Sequence, residues 1–534
     1  MSKNSLWWQN GIIYQIYPRS FMDTTTSGIG DLNGIINKLD YLADLGIDAI
    51  WLSPIFPSPD VDFGYDVADY VAIDPRFGTM ADFDHLLKEA HQRNIRIILD
   101  LVLNHTSDQH PWFKESRKSR DNPYHDWYLW KDSSPKGGPP NNWVSIFGGS
   151  GWEFDAQLGQ YYYHMFCKGQ PDLNWHHPEV REALLNVFKF WLERGVDGFR
   201  LDVFNMYFKH SELPDNPKKL IGLRPFDRQA HKYEVSQPEM YPLLNKIRQL
   251  LDSYGNTYVV GETFLASPEH TASYCGQDKL NAAFNFELAE SPWKVKRFTR
   301  AIKNWEKALE GHAWPNYFLN NHDVTRSSSR YCRGEDDARA KVSAAMLLTL
   351  RGTPFMYYGE EIGMRNISLK HSQILDPVGK RYWPFNKGRD GCRAPMQWDD
   401  SVNAGFSSTA PWLPVHPDYI SRNVSKQKSE PSSLLNFYKQ LIHLRKEHPA
   451  LNQGNLSMLD PQNKSILSYL RQTPGESILV LLNFKPKQIA YQFPKQIANQ
   501  NWRVLFSEKR QTKELCQEQS ILISSYETLL LVAD

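Results

Sequence analysis

The chain has 534 residues, of which 41% are hydrophobic and 23% are charged, and its formal net charge is +1. At roughly 100–200 residues per domain, this length allows several domains, or one large barrel with additions. A near-neutral charge gives no attraction to nucleic acid or to an anionic membrane, and no apolar run approaches the ~20 residues that span a bilayer. We therefore expect a soluble protein with an uncharged small molecule as its partner, and neither nucleic acid nor membrane.

The cysteines and the N terminus indicate the compartment. The five cysteines are scattered and lack CxxC spacing, which argues against a disulfide framework or a zinc site. The N-terminal stretch MSKNSLWWQNG has no basic segment followed by an apolar one, as a signal peptide would have. We expect a cytoplasmic protein that is a monomer or a weak homo-oligomer.

Eight short apolar runs predict eight strands, and helical stretches separate many of them. In chain order the runs are GIIYQIYP, IDAIWLSPIF, IRIILDLVLNH, VDGFRLDV, TYVVGETF, LNAAFNFE, WPNYFLNNHD and RGTPFMYYGEEIG. Strands that alternate with helices favour parallel strands with right-handed crossovers. Because the runs are continuously apolar, the pattern predicts an α/β fold with a closed (β/α)8 (TIM) barrel. A doubly wound open sheet is the alternative, but no GxGxxG follows the first strand.

Three stretches depart from this alternation. Residues 104–172 are rich in Trp, Tyr, Gly, Pro and Asp and are too long for a loop, which predicts a subdomain inserted after the third strand. A second irregular insertion, at about 364–415, follows the last barrel strand. Short β-type runs predict an antiparallel C-terminal β-sandwich at 456–534. The catalytic barrel then comprises residues 1–103 and 173–455.

Polar side chains stand at the C-terminal ends of four predicted strands. They are Asp100 with His105, Arg200 with Asp202, Glu262, and His322 with Asp323. Barrel enzymes place their active sites at this end of the strands. An Arg beside a buried Asp lowers the pKa of the carboxyl, so we expect Asp202 to be an ionised nucleophile. With Glu262 as a protonated general acid, the pair suffices for glycoside cleavage.

These segments resemble the ordered signatures of one enzyme family. DLVLNH (100–105), GFRLD (198–202), GET (261–263) and NNHD (320–323) are similar to those of the α-amylase superfamily, glycoside hydrolase family 13. QPDLNW (170–175) resembles a fifth signature, that of the oligo-1,6-glucosidase and α-glucosidase branch. WWQNGIIYQIYPRSF, FGYDVADY and APMQWDD match that branch too, so the resemblance covers essentially the whole chain.

The resemblance implies a retaining mechanism with three carboxylates. Asp202 is the nucleophile, Glu262 is the general acid/base, and Asp323 holds the sugar hydroxyls and stabilises the transition state. Water completes hydrolysis through a covalent glucosyl-enzyme, and a sugar acceptor gives transglucosylation instead. The other residues implied around the same sugar ring are Arg200, which orients Asp202, and His105 and His322.

The same resemblance implies a pocket closed behind one glucose, which is then released one unit at a time. Tyr65 is the stacking platform and Asp62 accepts hydrogen bonds from sugar hydroxyls. An Arg pairs with this Asp in the family and blocks the far end of the pocket. The segment GRDGCR offers Arg389 or Arg393, and we favour Arg389.

The loop DTTTSGIGD has the spacing of the family's calcium loop, with ligands expected at Asp23, Thr25, Ser27, Ile29 and Asp31. The family usually has an acidic or amide group in place of this Thr and an acid in place of this Ser. Calcium takes six to eight oxygens, several of them anionic. The chemistry requires no cofactor. A structural Ca²⁺ or Mg²⁺ would bind here at reduced affinity, and the alternative is a plain Gly-rich turn.

Two features give opposite indications of linkage. The segment VFNMYFKHSELPDNP resembles an α-glucosidase subgroup with a narrow pocket for short substrates. In this branch of the family, a Val at the position of Val203 accompanies α-1,6 specificity, and a Thr there accompanies α-1,4 specificity. The alternative for Val203 is a β-branched core residue on a strand. We expect short α-glucosides of maltose or isomaltose type and leave the linkage open.

Two other functions share these features. A trehalose synthase or sucrose isomerase has the same barrel and carboxylates, but the chain lacks an obvious RLDRD loop. A non-catalytic glucosidase-like binding protein, as in amino-acid-transporter heavy chains, would need a transmembrane helix. It would also be expected to have lost one of the three carboxylates.

Overall fold

The computed structural model describes residues 6–334, 336–512, 515–516 and 519–534, with the side chains of 515–516 left out. The predicted barrel segment 1–5 and the side chain of Cys516 lie outside this description. Among the described residues, no helix has the length and apolar character needed to cross a bilayer.

Strands make up the barrel wall, part of the inserted segment and the C-terminal region. In chain order they are β1 (Ile13–Ile16), β2 (Ala49–Leu52), β3 (Arg96–Leu101), β4 (Trp130–Lys131), β5 (Trp152–Asp155), β6 (Gln160–Tyr163), β7 (Gly198–Leu201), β8 (Tyr258–Glu262), β9 (Ala282–Phe284), β10 (Asn316–Phe318), β11 (Thr353–Tyr357), β12 (Asn455–Met458), β13 (Ile466–Thr473), β14 (Glu476–Asn483), β15 (Ile489–Gln492), β16 (Trp502–Ser507), β17 (Leu515–Cys516), β18 (Ser520–Ile523) and β19 (Thr528–Ala533).

Eight parallel strands form the barrel in the order β10-β11-β1-β2-β3-β7-β8-β9. The two end strands, β9 and β10, approach each other without a hydrogen-bonded ladder, so the barrel is nearly closed. β1, β2, β7 and β8 are buried along their whole length because one face packs in the barrel and the other against helices. All eight predicted strands are present, and the predicted (β/α)8 barrel is confirmed.

Helices surround this barrel and also occupy the insertions. They are α1 (Trp7–Asn10), α2 (Leu32–Ile36), α3 (Leu39–Leu45), α4 (Met80–Gln92), α5 (Pro111–Ser116), α6 (Pro178–Glu193), α7 (Met240–Asp252), α8 (Pro268–Ser273), α9 (Val295–Leu309), α10 (Ser327–Tyr331), α11 (Ala338–Thr349), α12 (Pro377–Tyr382), α13 (Val424–Ser429), α14 (Leu434–Glu447) and α15 (Pro449–Asn452). In α4, Thr79 and Asp82 form a capping box, and the helix buries Phe83 and Leu86 at the i, i+3 spacing of an amphipathic helix.

The segments outside the barrel differ in their secondary structure. Residues 104–172 contain the antiparallel sheet β4-β6-β5, packed with aromatic rings such as Phe113 and Trp130. Residues 364–415 contain α12 and short 3-10 helices. The C-terminal region has a six-stranded sheet, β12-β13-β14-β19-β16-β17, and the ribbon β15-β18, all antiparallel as predicted.

Candidate active site

A pocket of 780 Å³ opens at the C-terminal ends of the barrel strands. Seven of the nine predicted catalytic and substrate-binding residues line it. They are Asp62, Tyr65, His105, Asp202, Glu262, Asp323 and Arg389. The other two, Arg200 and His322, are fully buried behind the lining. The barrel therefore brings together side chains that lie as far apart in sequence as Asp62 and Arg389.

Arg200 is the cation at the centre of this site. Its Nη1 lies 2.7 Å from Asp100 Oδ1 and 2.6 Å from Asp202 Oδ1, and its Nη2 donates to Glu262 Oε2. All four side chains are buried or nearly so. One positive charge thus faces three carboxyl groups, and full ionisation of all three would leave excess negative charge in a poorly solvated place.

The pKa values of the buried carboxyls are raised, so these groups hold protons more tightly than free carboxyls do. Burial raises the pKa of Glu262 to about 8 and that of Asp202 to about 7, although Arg200 acts to lower both. The prediction that Asp202 has a lowered pKa is therefore wrong, although the charge of Arg200 acts in the predicted direction. The reason is that burial, together with the like charges of Asp100 and Asp323, outweighs a guanidinium that three carboxyls share.

Asp202 and Glu262 titrate as a pair, because the charge of Asp202 raises the pKa of Glu262. With one proton on the pair, one carboxylic acid stands beside one carboxylate, which are the two forms that glycoside cleavage needs. Removing the charge of Asp202 would lower the pKa of Glu262, because that charge is one of the causes that raise it.

We expect a bell-shaped dependence of kcat/KM on pH. Activity should fall below pH ~7 as Asp202 becomes protonated, and above pH ~8 as Glu262 loses the proton it must donate. Initial rates from pH 5 to 9.5 with one disaccharide measure both limbs. A profile that stays flat from pH 5 to 7 would contradict the raised pKa of Asp202.

Asp323 has a different environment from the other two carboxylates. Arg393 Nη2 lies 2.7 Å from its Oδ1 and Arg389 Nη1 lies 3.4 Å away, while the side chain remains 31% exposed toward the pocket. Burial acts to raise the pKa of Asp323, but the guanidinium groups of Arg389 and Arg393 help to hold it well below its usual range. Asp323 is therefore a fixed negative charge that can accept hydrogen bonds from a sugar.

Arg389 lines the pocket and pairs with carboxylates there. Its Nη2 lies 2.6 Å from Asp62 Oδ1, and its Nε lies 2.7 Å from Asp376 Oδ1. Arg389 is thus the arginine beside Asp62, as the sequence favoured, whereas Arg393 binds Asp323. Asp376 was not predicted as a site residue. The pair Asp376-Pro377 is a sequence pattern typical of a helix start, and Asp376 does cap α12 by accepting from the backbone N–H of Gly379.

Tyr65, which lines the pocket, forms a stacked pair with the buried His322. Their ring centroids are 5.2 Å apart with an interplanar angle of 3°, and the Tyr65 hydroxyl lies 2.6 Å from His322 Nε2. The same hydroxyl donates to Asp100 Oδ2 at 3.0 Å. Burial lowers the pKa of His322 to about 3, so the ring is neutral. His322 lies behind the pocket lining and supports Tyr65, and Gln15 on β1 contacts His322 Nδ1 at 2.7 Å.

His105 lines the other side of the pocket. Its Nε2 donates to the carbonyl oxygen of Tyr65 at 2.9 Å, and Gln170 Nε2 donates to that oxygen at 3.2 Å. Nearby, Lys209 Nζ lies 2.5 Å from Asp172 Oδ2. The QPDLNW motif therefore ties the inserted segment both to the pocket wall and to the segment that follows Asp202.

The position of Val203 beyond the end of β7 and its backbone conformation were not predicted from the sequence. β7 ends at Leu201, and Val203 follows with φ 33° and ψ 41°, a left-handed conformation that β-branched residues rarely adopt. Its side chain lines the pocket, and its backbone N–H donates to Glu262. The alternative of a core residue on a strand is confirmed in its burial, since Val203 packs in an apolar cluster, but is wrong about the strand. A Cβ at Gly261 would lie 2.4 Å from the ring of Phe204, which explains the glycine before Glu262.

The two carboxylates of the 23–31 loop accept hydrogen bonds from other groups of the protein. Asp23 accepts from the backbone N–H groups of Thr25 at 2.9 Å and Gly28 at 2.8 Å, and from the Ser407 hydroxyl at 2.6 Å. Asp31 accepts from Thr24 and, as the cap of α2, from the backbone N–H of Gly34. Both carboxylates of the loop thus have N–H and O–H donors of the protein as partners.

Family models identify the class to which this fold and site belong. The model described as "Alpha amylase, catalytic domain" matches residues 15–454, and "Maltogenic Amylase, C-terminal domain" matches residues 456–527. The chain therefore belongs to the α-amylase family and is a glycoside hydrolase. The membership inferred from the sequence motifs is confirmed.

Individual relatives match over nearly the whole chain. A probable alpha-glucosidase of Rhizobium meliloti is 44% identical over 506 residues, or 91% of each chain. An oligo-1,6-glucosidase of Parageobacillus thermoglucosidasius is 41% identical over 542 residues, or 94% of each chain. Among solved structures, an alpha-glucosyl transfer enzyme has a TM-score of 0.93 at 38% identity, covering 99% of this chain and 100% of that one.

Proposed function

We propose that the protein is a retaining, exo-acting α-glucosidase that releases α-glucose from the non-reducing ends of short maltose- or isomaltose-type α-glucosides. The observation that carries this proposal is the bridging of Asp202 and Glu262 by the two terminal nitrogens of Arg200. Two carboxyls on one guanidinium lie close together, as direct nucleophilic attack requires. An inverting enzyme needs a wider gap that admits water between them.

The proposed first step uses the protonation states of the cluster. Glu262 donates its proton to the glycosidic oxygen while Asp202 attacks the anomeric carbon and forms a covalent glucosyl-enzyme. The charge of Asp202 disappears in the ester, so one cause of the raised pKa of Glu262 is lost. Glu262 can then act as the base that deprotonates water, which displaces Asp202 with net retention.

The pairing of Arg389 with Asp62 supports exo action. Arg389 ties Asp62 to Asp376 behind the position of one sugar ring, and Tyr65 supplies a ring face for it. The relatives named alpha-glucosidase and oligo-1,6-glucosidase support the same substrate class. A solved isomaltulose synthase of Erwinia rhapontici, with a TM-score of 0.91 at 36% identity, keeps glucosyl transfer with isomerisation as a second candidate.

Val203 gives the test of linkage. The rates of glucose release from isomaltose and maltose are compared at equal concentration. We expect Val203→Thr to shift the isomaltose-to-maltose ratio toward maltose by at least ~twofold, since one new hydroxyl contact contributes about 0.5–1.5 kcal/mol. Val378→Thr is the matched control, because Val378 also lines the pocket. An unchanged ratio in the Val203 variant would show that Val203 does not set linkage, and no glucose from either sugar would overturn the α-glucosidase proposal.

We further propose that the 23–31 loop is stable without a metal, since Ser407 and backbone N–H groups serve Asp23 in place of a cation. Excess EDTA should leave the melting temperature and activity unchanged. Ser407→Ala should lower the melting temperature by a few degrees, as the loss of one buried hydrogen bond predicts. A drop in melting temperature with EDTA, reversed by Ca²⁺, would contradict this and support a calcium loop.

The remaining expectations stand as proposals. We propose that the protein acts in the cytoplasm as a monomer or a weak homo-oligomer, on small α-glucosides and with neither nucleic acid nor membrane as a partner. The near-neutral net charge supports this. So do the free thiols of Cys167, Cys275, Cys332 and Cys392, the cysteines whose side chains are described. We also propose the predicted division: barrel 1–103 and 173–455, subdomain 104–172, and C-terminal domain 456–534.

A further inference from the structure

Gln15 is a buried amide side chain that the proposed cleavage steps do not use. It lies on β1, is 1% exposed, and does not line the catalytic pocket. Its Nε2 lies 3.1 Å from Ser53 Oγ and 2.7 Å from His322 Nδ1. Its Oε1 has no hydrogen-bond partner among the residues that the structure describes. A buried polar atom without a partner costs stability, so the amide calls for an explanation other than packing.

The contact between Gln15 and His322 fixes the position of the hydrogen on the imidazole ring. An amide nitrogen only donates hydrogen bonds, so the ring nitrogen that it meets at 2.7 Å, Nδ1, is the acceptor. Burial lowers the pKa of His322 to about 3, so the ring is neutral and carries one N–H hydrogen. That hydrogen is then on Nε2, which makes the ring the Nε2–H tautomer.

The contacts of His322 Nε2 indicate the same tautomer, and with it the end of the Gln15 amide that faces the ring. Nε2 lies 2.6 Å from the Tyr65 hydroxyl oxygen and 3.4 Å from Asp323 Oδ2, and the Tyr65 hydroxyl lies 3.0 Å from Asp100 Oδ2. The hydroxyl has one hydrogen to donate. If Nε2 carries its own hydrogen, the Tyr65 hydrogen is available to Asp100. If Nε2 lacked one, Tyr65 would donate to the ring, and the Asp100 carboxylate would face an oxygen lone pair.

The hydrogen bond from Tyr65 to Asp100 matters because Asp100 and Asp202 share one nitrogen of Arg200. Arg200 Nη1 lies 2.7 Å from Asp100 Oδ1 and 2.6 Å from Asp202 Oδ1. Trp51 Nε1 is a further donor to Asp100 Oδ2, at 3.2 Å. Each donor that binds Asp100 reduces its attraction for Nη1 and leaves that nitrogen more strongly bound to Asp202.

We propose that Gln15 is a positioning residue for the nucleophile: its amide nitrogen holds His322 in the Nε2–H tautomer, so that the Tyr65 hydroxyl donates to Asp100. The role rests on the proposed glucosidase activity. Without the amide, His322 can carry its hydrogen on Nδ1. Tyr65 then donates to His322 instead of Asp100, and Asp100 draws Arg200 away from Asp202.

The tautomer is tested by NMR of protein labelled with ¹⁵N in its histidines, with His322→Asn to assign the ring signals. Spectra are recorded at pH ~8, above the pKa of Asp100, which burial raises to about 6. The wild-type ring should carry a hydrogen on Nε2 alone. Gln15→Glu presents a carboxylate to Nδ1 and should place a hydrogen there. A wild-type ring with its hydrogen on Nδ1, or a Gln15→Glu ring without one there, would overturn the proposal.

Kinetics on p-nitrophenyl α-glucoside distinguish positioning from packing. Gln15→Leu should lower kcat/KM about 5- to 10-fold, as the loss of one hydrogen bond predicts. In a Tyr65→Phe background, which lacks the hydroxyl, the same substitution should cost less than ~twofold, because Gln15 acts through that hydroxyl. Gln397→Leu is the matched control, since Gln397 is a fully buried glutamine outside the pocket whose Oε1 likewise lacks a described partner. It should leave kcat/KM within ~twofold of wild type and the His322 signals unchanged.

The outcomes separate the role of Gln15 from the proposed function. Equal losses from Gln15→Leu in the wild-type and Tyr65→Phe backgrounds, or no loss in the wild type, would overturn the positioning role and leave the glucosidase proposal standing. A wild-type protein that hydrolyses no α-glucoside would overturn the proposed function, and with it the role of Gln15, whichever tautomer His322 adopts.

Discussion

Asp202→Asn will reduce turnover of maltose and isomaltose by at least ~10⁴-fold, the order of loss seen when a covalent nucleophile is removed. The amide keeps the size of the side chain but cannot form the glucosyl ester. Circular dichroism and initial rates on the purified variant measure the outcome. Glu360→Gln is the control, because Glu360 is another buried carboxyl with a pKa raised to about 7 that does not line the pocket. Substantial activity in the Asp202 variant would exclude Asp202 as nucleophile.

The same variant should be as stable as wild type or more stable. Burial raises the pKa of Asp202 from 3.8 to about 7, so ionising this carboxyl in the folded protein costs stability. The cost is absent below pH ~4, grows between pH ~4 and ~7, and is complete above that range. Asparagine avoids it. The melting-temperature gain of the variant should therefore be larger at pH 8 than at pH 5. A variant that melts below the wild type at pH 8 would contradict the raised pKa of Asp202.

Glu262→Gln is expected to produce the second large loss. Hydrolysis of disaccharides should fall about 10²–10⁴-fold, because the leaving sugar needs a proton that glutamine cannot give. A glucosyl donor whose leaving group needs no proton, such as α-glucosyl fluoride, should still form the covalent intermediate. Added azide, which needs no general base, should then accelerate turnover and yield α-glucosyl azide.

The configuration of the azide product distinguishes the two carboxylates. α-Glucosyl azide from the Glu262 variant requires two displacements and therefore a covalent intermediate on another residue. The β-anomer would indicate direct displacement at the anomeric carbon and would reverse the roles assigned to Asp202 and Glu262. Asp202→Asn, treated in the same way, should give no α-glucosyl azide.

Much of this fold was predictable because its signals are local. Strands such as β7 and β8 are buried on both faces, so their sequences are continuously apolar. Asp202 follows β7 directly and Glu262 is the last residue of β8, so both carboxylates stand at the ends of parallel strands, where such strands meet. The five-residue motif GFRLD (198–202) therefore predicted both the strand β7 and the pocket residue Asp202.

What could not be predicted depends on contacts between distant segments. The pKa of Asp202 reflects how many carboxyls share Arg200, which no single motif shows. The 23–31 loop is completed by Ser407, 384 residues away from Asp23. The left-handed backbone of Val203 is hidden because β-branched residues favour strands.

The most direct test is the anomeric form of the first glucose released. Wild-type enzyme acts on p-nitrophenyl α-glucoside, whose aglycone is not a sugar, so that every released glucose comes from the reacting anomeric carbon, and proton NMR follows the anomeric signals before mutarotation. We expect α-glucose first, with β-glucose appearing only at the rate of mutarotation. β-Glucose as the initial product would mean a single displacement by water and would contradict a covalent glucosyl-enzyme on Asp202.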